Sequence, residues 1–430
     1  MTRTMRESGV GWLGDVPADW DVVPSRALFG ERKTRSSASD IHLTPSQKYG
    51  VLPQAEYMEI TGNKVVLNLS GSDNMRHVEP GDYISHLRSF QGGLEHAMLK
   101  GKVSAAYTVL KPKMPVDGRY FKYLFKSDLY VQALQTTTDQ LRDGQSIRFG
   151  EFSLIPLPHP ALVEQRVIAD FLDRETAQID AFIAKNEELI ALLTERRATV
   201  IRNATTTGIG YHDDLVDSGD EQVGSIPTRW RMLRLSFLFG STASGTTPAS
   251  EQILDADHAD VPWVTTGELR EAQITGTLRG VSAEILATTP ALRLHPEGAL
   301  LIAMYGATIG RTAILRVPAA SNQAVCALSR PTGCDVEYVE LALQASRERL
   351  RLKAVGGGQP NINQETVRAF RIPVPPLEEQ RAIVAYVKEQ TAHINAAMAN
   401  AMRCADLARE RRAALISAAV TGKIDVGVSA

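Results

Sequence analysis

The chain has 430 residues, of which 43% are hydrophobic, and its formal net charge is −2 at pH 7. This length gives room for two or three domains with ordinary apolar cores, whereas the near-neutral charge is unlike that of a compact single-motif DNA-binding protein. The sequence has no run of eighteen apolar residues and no secretory leader pattern, so we expect a soluble, cytoplasmic protein without a membrane span.

Near its start the chain carries a frame of turn residues and a tryptophan that returns later. Residues 11–30 read GWLGDVPADWDVVPSRALFG, and residues 223–240 read VGSIPTRWRMLRLSFLFG, with Trp20 falling on Trp230. The pattern predicts that each globule opens with a turn, a tryptophan and an amphipathic strand or short helix. Because both tryptophans belong to the repeated frame, we interpret them as structural anchors and not as base-stacking residues.

The interior of each globule alternates short apolar runs with Gly, Asp and Asn turns, which is typical of strands. In the first globule the runs lie at residues 57–60, 64–69, 80–84 and 102–110. In the second they lie at residues 261–264, 298–302, 305–311 and 322–325, with mostly different residues. Two globules of similar pattern that carry different residues suggest that each recognises a different ligand.

Basic residues cluster in two runs, Arg32-Lys33-x-Arg35 and Arg347-x-Arg349-x-Arg351-x-Lys353. A solvated surface is the usual explanation of such runs, and contact with nucleic acid is the alternative.

Each globule closes with a glycine-containing loop, GQSI at 144–147 and GGGQPNIN at 356–363. Exposed amides and Gln or Asn side chains in such loops can follow a phosphate backbone or reach adenine edges. A tight turn that leads into a strand explains the same residues equally well.

After Pro158 and Pro160, apolar or long side chains recur with alternating steps of four and three residues. This heptad spacing predicts one long helix, on the order of 65 Å, with Glu164 in its first turns and Gly208 at its end. The predicted seam consists of Ile168, Leu172, Glu175, Ile179, Phe182, Asn186, Leu189, Leu193, Arg196 and Val200.

The long helix has a second copy 215 positions further along the chain. The shift places the Glu-Gln-Arg that begins at Glu164 on the one that begins at Glu379, and Arg196-Arg197 on Arg411-Arg412. The sequence therefore predicts a tandem repeat of globule and helix. The boundaries are 1–157 for the first globule, 158–208 for its helix, 209–374 for the second globule, 375–425 for its helix and 426–430 for a tail.

Motifs for bond chemistry are missing from the sequence. The GxxxxGK[ST], HExxH and GxSxG patterns do not occur, and neither does a methyltransferase or dinucleotide fingerprint. Cys326, Cys334 and Cys404 form no CxxC pair, and we expect isolated buried thiols. We therefore expect no catalysis by this chain alone and no metal site.

The repeated motifs resemble the specificity subunits of type I restriction-modification systems. The resemblance rests on GWLGDVPADW, on the Ile-Pro-x-Pro segments at 155–158 and 372–375, on the two Glu-Gln-Arg helix starts and on the terminal LISAAVTGKIDV. It spans the whole chain, because these motifs occur twice in the same order with a globule between them.

This resemblance implies an α+β fold of two mixed α/β target recognition domains joined by two long antiparallel helices in a coiled coil. Each domain would read one half of a split DNA sequence. The helices would set the distance between the halves and carry two methyltransferase subunits, with restriction and translocase subunits outside them. No cofactor is implied for this chain, whereas S-adenosylmethionine, ATP and magnesium are expected on the partner subunits.

Candidate residues follow from this interpretation. Basic side chains would hold phosphates, and Arg, Gln or Asn side chains would read base edges. The DNA-binding candidates are Arg32, Lys33, Arg35, Arg142, Gln145, Arg148, Arg311, Gln359 and Asn361. The candidates for the subunit interface are Glu164, Gln165, Arg166, Arg196, Arg197, Glu379, Gln380, Arg381, Arg411 and Arg412.

Complementary bulk is the predicted basis of helix pairing. Large residues Phe182, Leu189 and Leu193 of the first helix would face the small positions of the second. Those small positions are Ala397, Cys404 and Ala408.

Two other functions are compatible with the sequence. The chain is alternatively a non-catalytic coiled-coil scaffold that binds proteins through its globules, which the near-neutral charge favours. It is alternatively the specificity subunit of a methylation-only complex that lacks a nuclease partner.

Overall fold

The computed structural model describes residues 3–63, 75–86, 89–136, 147–210, 214–356 and 358–427, so the apolar run predicted at 64–69 lies outside them. Contacts divide the chain into two compact units. Unit 1 consists of Met1–Glu187 with Arg403–Ala430, and unit 2 is Glu188–Met402. Each long helix contributes one part to each unit, whereas the predicted boundaries set the helices apart from the globules.

Unit 1 is a mixed α/β structure. Its strands are β1 (Met5–Glu7), β2 (Asp15–Pro17), β3 (Asp21–Pro24), β4 (Phe29–Glu31), β5 (Leu43–Ser46), β6 (Gly50–Pro53), β7 (Arg76–Val78), β8 (Tyr83–Ser85), β9 (Glu95–His96), β10 (Gly101–Val103), β11 (Thr108–Pro112) and β12 (Pro156–His159). Its helices are α1 (Ser25–Leu28), α2 (Gln54–Thr61), α3 (Ser89–Gly92), α4 (Gly118–Lys126), α5 (Asp128–Thr136), α6 (Phe149–Phe152) and the first part of α7 (Leu162–Thr206).

Unit 2 repeats this organisation with a larger β content. Its strands are β13 (Leu215–Asp217), β14 (Ser225–Pro227), β15 (Arg231–Arg234), β16 (Phe239–Ser244), β17 (Leu254–Asp255), β18 (Val261–Val264), β19 (Ala272–Ile274), β20 (Arg279–Val281), β21 (Leu300–Ala303), β22 (Thr312–Leu315), β23 (Ala320–Ser321), β24 (Val325–Pro331) and β25 (Arg371–Val374). Its helices are α8 (Leu235–Leu238), α9 (Ala283–Thr288), α10 (Val336–Ala345), α11 (Arg347–Arg351), α12 (Gln364–Ala369) and the first part of α13 (Leu377–Val420).

The two main sheets share a central arrangement. Unit 1 has the strand order β4-β11-β8-β9, and unit 2 has the order β16-β24-β21-β22-β19. The central strand β11 is antiparallel to β4 and β8, as β24 is to β16 and β21. In unit 2 a second four-stranded sheet, β17-β20-β18-β23, adds to this arrangement.

The Ile-Pro-x-Pro segments form two-stranded ladders with the start of their own globule. Strand β12 pairs with β3, and β25 pairs with β15. Proline has no N–H to donate, so it is tolerated at sheet edges such as these and excluded from central strands. The motif therefore joins the opening of each globule to its exit, just before the long helix begins.

Both predicted anchor tryptophans are buried, which confirms their structural role. Trp20 belongs to the core cluster of unit 1 together with Leu172 of α7 and Ile416 of α13. Trp230 belongs to the cluster of unit 2, which likewise contains residues of both long helices. Burial of a large aromatic side chain accounts for several kcal/mol of stability, as truncation costs of about 3–5 kcal/mol show.

The start of each long helix is fixed by a buried glutamine. Gln165 accepts a hydrogen bond from the N–H of Asp117 at 2.9 Å and donates one to the Pro160 carbonyl at 2.9 Å. Gln380 makes the same pair of bonds, accepting from the Asp335 N–H at 2.8 Å and donating to the Pro375 carbonyl at 2.8 Å. Both side chains are fully buried. The Gln of each Glu-Gln-Arg therefore ties the helix start to its own unit, and its place in a subunit interface stays a prediction.

Within unit 1 the two long helices run antiparallel. Arg412 of α13 donates to Asp180 of α7 at 3.2 Å, and Arg409 of α13 donates to Glu187 of α7 at 2.6 Å. The residue nearer the start of α13 thus pairs with the residue further along α7, as antiparallel helices require. Ala405 and Ala408 of α13 are buried, whereas Phe182 of α7 is exposed.

The predicted seam is therefore wrong in two respects. Phe182 and Leu189 are exposed, and Cys404 is exposed where a buried thiol was expected. Heptad spacing fixes the period of a helix but leaves its rotational phase to the surface that it packs against.

Three of the predicted strand runs are wrong as well. Of residues 322–325 only Val325 belongs to a strand, because a turn precedes it. Residues 57–60 belong to α2, which a stretch of good helix formers explains. Residues 306–308 form a short 3₁₀ turn, in which Gly306 has a φ of 60°. Among the described residues, no helix is both long and apolar enough to cross a membrane.

Candidate nucleic-acid interface

The sheet of unit 2 brings the ends of several segments to one side. Strands β16 and β21 are both antiparallel to β24, so their carboxyl ends lie beside the start of β24. Strand β22 is antiparallel to β21 and starts at the same side. We call this side the polar edge, and it consists of Thr247, Tyr305, Arg311, Gln323, Gln359 and Asn361.

Backbone hydrogen bonds hold residues 358–363 against this edge. The N–H of Gly306 donates to the Pro360 carbonyl at 2.8 Å, and the N–H of Ile362 donates to the Met304 carbonyl at 2.9 Å. The N–H of Ala303 donates to the Arg311 carbonyl at 2.9 Å. The structure therefore brings together the three predicted residues Arg311, Gln359 and Asn361, which lie up to fifty positions apart in the sequence.

Neutral hydrogen-bonding groups dominate the polar edge. Thr247 donates from its hydroxyl to the Gln323 amide oxygen at 2.5 Å, and Gln364 donates to the Ser244 hydroxyl at 2.5 Å. Thr247, Gln323, Gln359 and Asn361 are all exposed. Amide side chains of this kind match the donor and acceptor pair that adenine presents in the major groove.

A strained residue lies beside the polar edge. Glu271 precedes β19 with a φ of 52°, a left-handed conformation that is uncommon for a residue with a side chain. Its N–H donates to the Thr312 carbonyl at 2.9 Å, and its carboxylate lies 3.6 Å from the Arg347 guanidinium. Arg347 in turn donates to the Ile309 carbonyl at 3.3 Å. This pair holds the turn that follows Tyr305 in place.

Two further arginines of the second basic run form ion pairs within unit 2, whereas Lys353 is exposed. Arg349 pairs with Asp220 and lies over the Phe370 ring, 5.0 Å from its centroid. Arg351 pairs with Glu348 of its own helix at 3.1 Å.

Unit 1 presents basic residues at the equivalent side of its sheet. Strand β4 ends at Glu31, and the chain continues through Arg32, Lys33 and Arg35. Arg35 forms a β-bridge with Arg76, which begins β7. We call these four basic residues the basic edge.

The four residues of the basic edge are not equally available. The Nε and Nη2 groups of Arg32 donate to the two oxygens of the buried Asp82 carboxylate, at 2.6 Å and 2.9 Å. The hydrogen bond to Asp82 raises the pKa of Arg32 despite partial burial. Lys33, by contrast, is 80% exposed and lies 4.0 Å from Glu31. Arg32 therefore positions the segment, while Lys33 and the exposed Arg35 are available to a ligand.

A buried histidine, His77, lies next to the basic edge and is hydrogen-bonded to its backbone. His77 lies between two carboxylates, with Nδ1 2.7 Å from Asp40 and Nε2 2.8 Å from Glu79. Burial alone would lower the pKa of His77, but the hydrogen bonds to Glu79 and Asp40 outweigh burial and raise it. Its backbone N–H donates to the Thr34 carbonyl at 3.2 Å, which ties the cluster to the Lys33 segment.

Three further DNA-binding candidates fall within the sequence range of unit 1. Arg142 and Gln145 lie outside the described residues. Arg148 is exposed at the start of α6, where its backbone N–H donates to Glu151 at 3.0 Å. Their role as base contacts stays a prediction.

The predicted interface residues fall into two groups. Glu164 is buried and paired with Arg3, and the two glutamines are buried as described above. The arginines are exposed or half-buried: Arg166, Arg196, Arg197, Arg381, Arg411 and Arg412. Glu379 is half-buried. The availability of these side chains to a partner stays a prediction.

An apolar groove of about 460 Å³ lies between the two long helices of unit 1. It is lined chiefly by Ile179, Phe182, Cys404, Leu407 and Ala408. Leu407 is 57% exposed, and so is Leu192, which occupies the same place in the other copy of the repeat. Contiguous exposed apolar surface, such as that around this groove, is typical of places where another protein binds.

Sequence reasoning missed Tyr305, Thr247 and Gln323. Each lies within three residues of the end or start of a strand, which is the local signal available for a residue at a sheet edge. The sequence does not show which strand ends share a side, because that depends on pairing between distant segments.

Residues 227–400 match the family model of the type I restriction modification DNA specificity domain. The protein assigned as the type I restriction enzyme MjaX specificity subunit of Methanocaldococcus jannaschii is 21% identical over 398 residues, covering 87% of this chain and 88% of that protein. The type I restriction enzyme StySPI specificity subunit of Salmonella potsdam is 21% identical over 307 residues, covering 66% of this chain and 60% of that protein.

A solved structure shares the fold. A chain from a study of complex assembly and conformational transition of the type I R-M system aligns with a TM-score of 0.70 at 15% identity, covering 95% of this chain and 99% of that chain. Residues 227–400 therefore resemble the DNA specificity domain of type I restriction-modification systems, and the chain as a whole shares its fold with a chain of such a system.

Proposed function

We propose that this chain recognises a bipartite duplex DNA target, with the basic edge of unit 1 and the polar edge of unit 2 contacting one half-site each. The observation that supports this is the shared strand arrangement of the two sheets, whose equivalent sides carry different side chains. Two different half-sites require two similar domains that present different base-contacting side chains.

The proposed contacts divide by chemistry. Lys33 and Arg35 bind phosphates and set the register, since phosphate contacts carry little sequence information. Gln359 and Asn361 read adenine edges, and Arg311 reads guanine. Each good bidentate contact supplies about 1–3 kcal/mol of discrimination against the wrong base.

We further propose that the two long helices carry two methyltransferase subunits, with restriction and translocase subunits joining outside them. The groove at Leu407 and the matching exposed Leu192 support two equivalent docking places. Catalysis and the cofactors S-adenosylmethionine, ATP and magnesium then belong to these partners, and the complex works in the cytoplasm.

Gln359→Ala tests the reading role of unit 2. Loss of one amide contact relaxes discrimination at about one base pair of one half-site, by about 1–3 kcal/mol. Genome-wide mapping of methylated adenines with the variant complex measures this directly. Gln222→Ala, an exposed glutamine elsewhere in unit 2, serves as the control. Relaxation of both half-sites alike, or a uniform loss of methylation, contradicts the assignment.

A scaffold that binds only proteins is the second candidate, because the apolar groove and the near-neutral charge are compatible with it. Binding of the complex to duplex DNA across salt concentrations separates the two functions. DNA recognition requires affinity that falls steeply as salt rises, since bound phosphates release counterions. A salt-independent or absent affinity supports the scaffold.

A further inference from the structure

Tyr305 is an exposed aromatic residue in the middle of the polar edge. It follows β21, whose four residues are all buried, and its own side chain is 40% exposed. Tyr338, by contrast, is fully buried, and its hydroxyl donates to the Pro373 carbonyl at 2.8 Å. Among the described residues, none forms a hydrogen bond with the Tyr305 hydroxyl. The Tyr305 side chain therefore contributes little to the core of unit 2.

The backbone of Tyr305 is nevertheless firmly held. Its neighbour Met304 is buried and accepts the N–H of Ile362, which is also buried. Tyr305 itself forms a β-bridge with Asn361, and its carbonyl accepts the Thr308 hydroxyl at 2.7 Å. A rigid backbone that presents an exposed ring reduces the ordering cost of a contact, because little conformational freedom is lost on binding.

The surroundings indicate which ligand the ring meets. The bridge with Asn361 and the bond from Gly306 to Pro360 place Tyr305 beside Gln359 and Asn361, the residues proposed to read base edges. In an intact duplex the faces of the bases are stacked on one another, so a protein side chain in a groove can contact only the base edges. The apolar group at the edges of the major groove is the 5-methyl group of thymine.

We propose that Tyr305 is a specificity-determining residue whose ring packs against a thymine methyl group in the half-site read by unit 2. The proposal rests on the proposed function. It adds one apolar contact with a base to the hydrogen bonds proposed for the other residues of the polar edge. It predicts that this half-site contains at least one thymine at a position that tolerates no other base well.

The test removes the methyl group from the DNA and the ring from the protein. Binding of the full chain in complex with its methyltransferase subunits is measured on duplexes in which each thymine of the half-site is replaced in turn by deoxyuridine. The wild-type complex loses about fourfold in affinity at one such position, the value expected for one buried methyl group. The Tyr305→Ala complex binds the thymine and deoxyuridine duplexes at that position equally.

Matched variants separate this role from a general effect on folding. Tyr305→Phe keeps the ring and retains the deoxyuridine effect. Phe237→Ala removes an aromatic ring that is 67% exposed on α8, before the opposite end of β16, and leaves the effect unchanged. If Tyr305→Ala does not fold, Tyr305→Gln takes its place, since it keeps a polar exposed side chain.

Three outcomes overturn the proposal: a half-site without thymine, no position sensitive to deoxyuridine, or a sensitive position that stays sensitive in Tyr305→Ala. Failure of the proposed function looks different, because the wild-type complex would then show no preference for any sequence over random duplex.

Discussion

At the scale of single residues, the glutamine of each Glu-Gln-Arg motif shows how a repeated residue serves the fold. Gln165 and Gln380 each satisfy one backbone donor and one backbone acceptor where a strand passes into a long helix. A buried backbone group without a partner costs about 1–3 kcal/mol. The residue therefore secures the direction in which each helix leaves its globule.

We expect Gln380→Ala to destabilise unit 2 by about 1–3 kcal/mol, since it leaves the Asp335 N–H and the Pro375 carbonyl without their partner. Thermal unfolding measures the loss, and hydrogen exchange at the Asp335 amide locates it. Gln390→Ala, an exposed glutamine on the same helix, is the control and changes little. Unchanged protection of the Asp335 amide in Gln380→Ala would disprove the role assigned to this glutamine.

His77 gives unit 1 a pH-dependent contribution to stability. Its raised pKa means that the protonated form is stabilised in the folded state, so this contribution is present below the ordinary value of 6.5 and is lost as pH rises through the folded pKa. Hydrogen bonds with His77 lower the pKa of Glu79, and they outweigh burial to lower that of Asp40. The contribution of these carboxylates is lost as pH falls through their folded pKa values.

We therefore expect His77→Gln to destabilise unit 1 most at about pH 5–6 and much less at about pH 9. Thermal unfolding of wild type and variant at these pH values, with hydrogen exchange of residues 75–86, checks the sign and the place. His258→Gln, an exposed histidine in unit 2, is the control. A loss that is equal at both pH values would show that the protonated His77 adds nothing.

At the scale of elements, the long helices combine a buried seam with exposed apolar residues. On α13 the buried seam of unit 1 is made by Ala405 and Ala408, and small residues allow close approach of two helices. The larger side chains Phe182 and Leu407 remain outside and line the groove. The helices thus keep apolar surface beyond what their own pairing uses.

If this surface carries the methyltransferase subunits, Leu407→Glu removes one of the two subunits and Leu192→Glu removes the other. A charge placed in a desolvated contact is strongly unfavourable, whereas at an exposed position it changes folding stability by less than about 0.5 kcal/mol. Native mass spectrometry of the purified complex counts the subunits. Leu278→Glu, at another exposed leucine, leaves both in place. Full occupancy in the Leu192→Glu, Leu407→Glu double variant would exclude this surface.

At the scale of the whole molecule, both long helices are continuous and each supplies residues to both units. Helix α7 has 45 residues and α13 has 44, and the division between units falls inside each of them. Under the proposed function, this continuity makes the number of helical residues a determinant of the distance between half-sites.

Removing one heptad from each helix, at the division between the units, shortens each by about 10 Å. Since one turn of B-DNA advances roughly 34 Å, we expect the required spacer to shorten by about three base pairs. Methylation assays on libraries of spacer lengths measure this. Both half-sites stay unchanged in the expected result, and retention of the original spacer length would refute a distance-setting role of the helices.

The sequence by itself determined the tandem repeat, the two long helices, the structural tryptophans and the family resemblance, because these depend on local patterns repeated along the chain. It also singled out Arg311, Gln359 and Asn361 as separate candidates. Only the tertiary structure decided that these three meet Tyr305 at one edge, that Arg32 is held by Asp82, and that alanines and not Phe182 form the seam. These contacts depend on strand pairing and on the face that each helix turns towards its neighbour. Both are set by segments far apart in the sequence, so local periodicity cannot predict them.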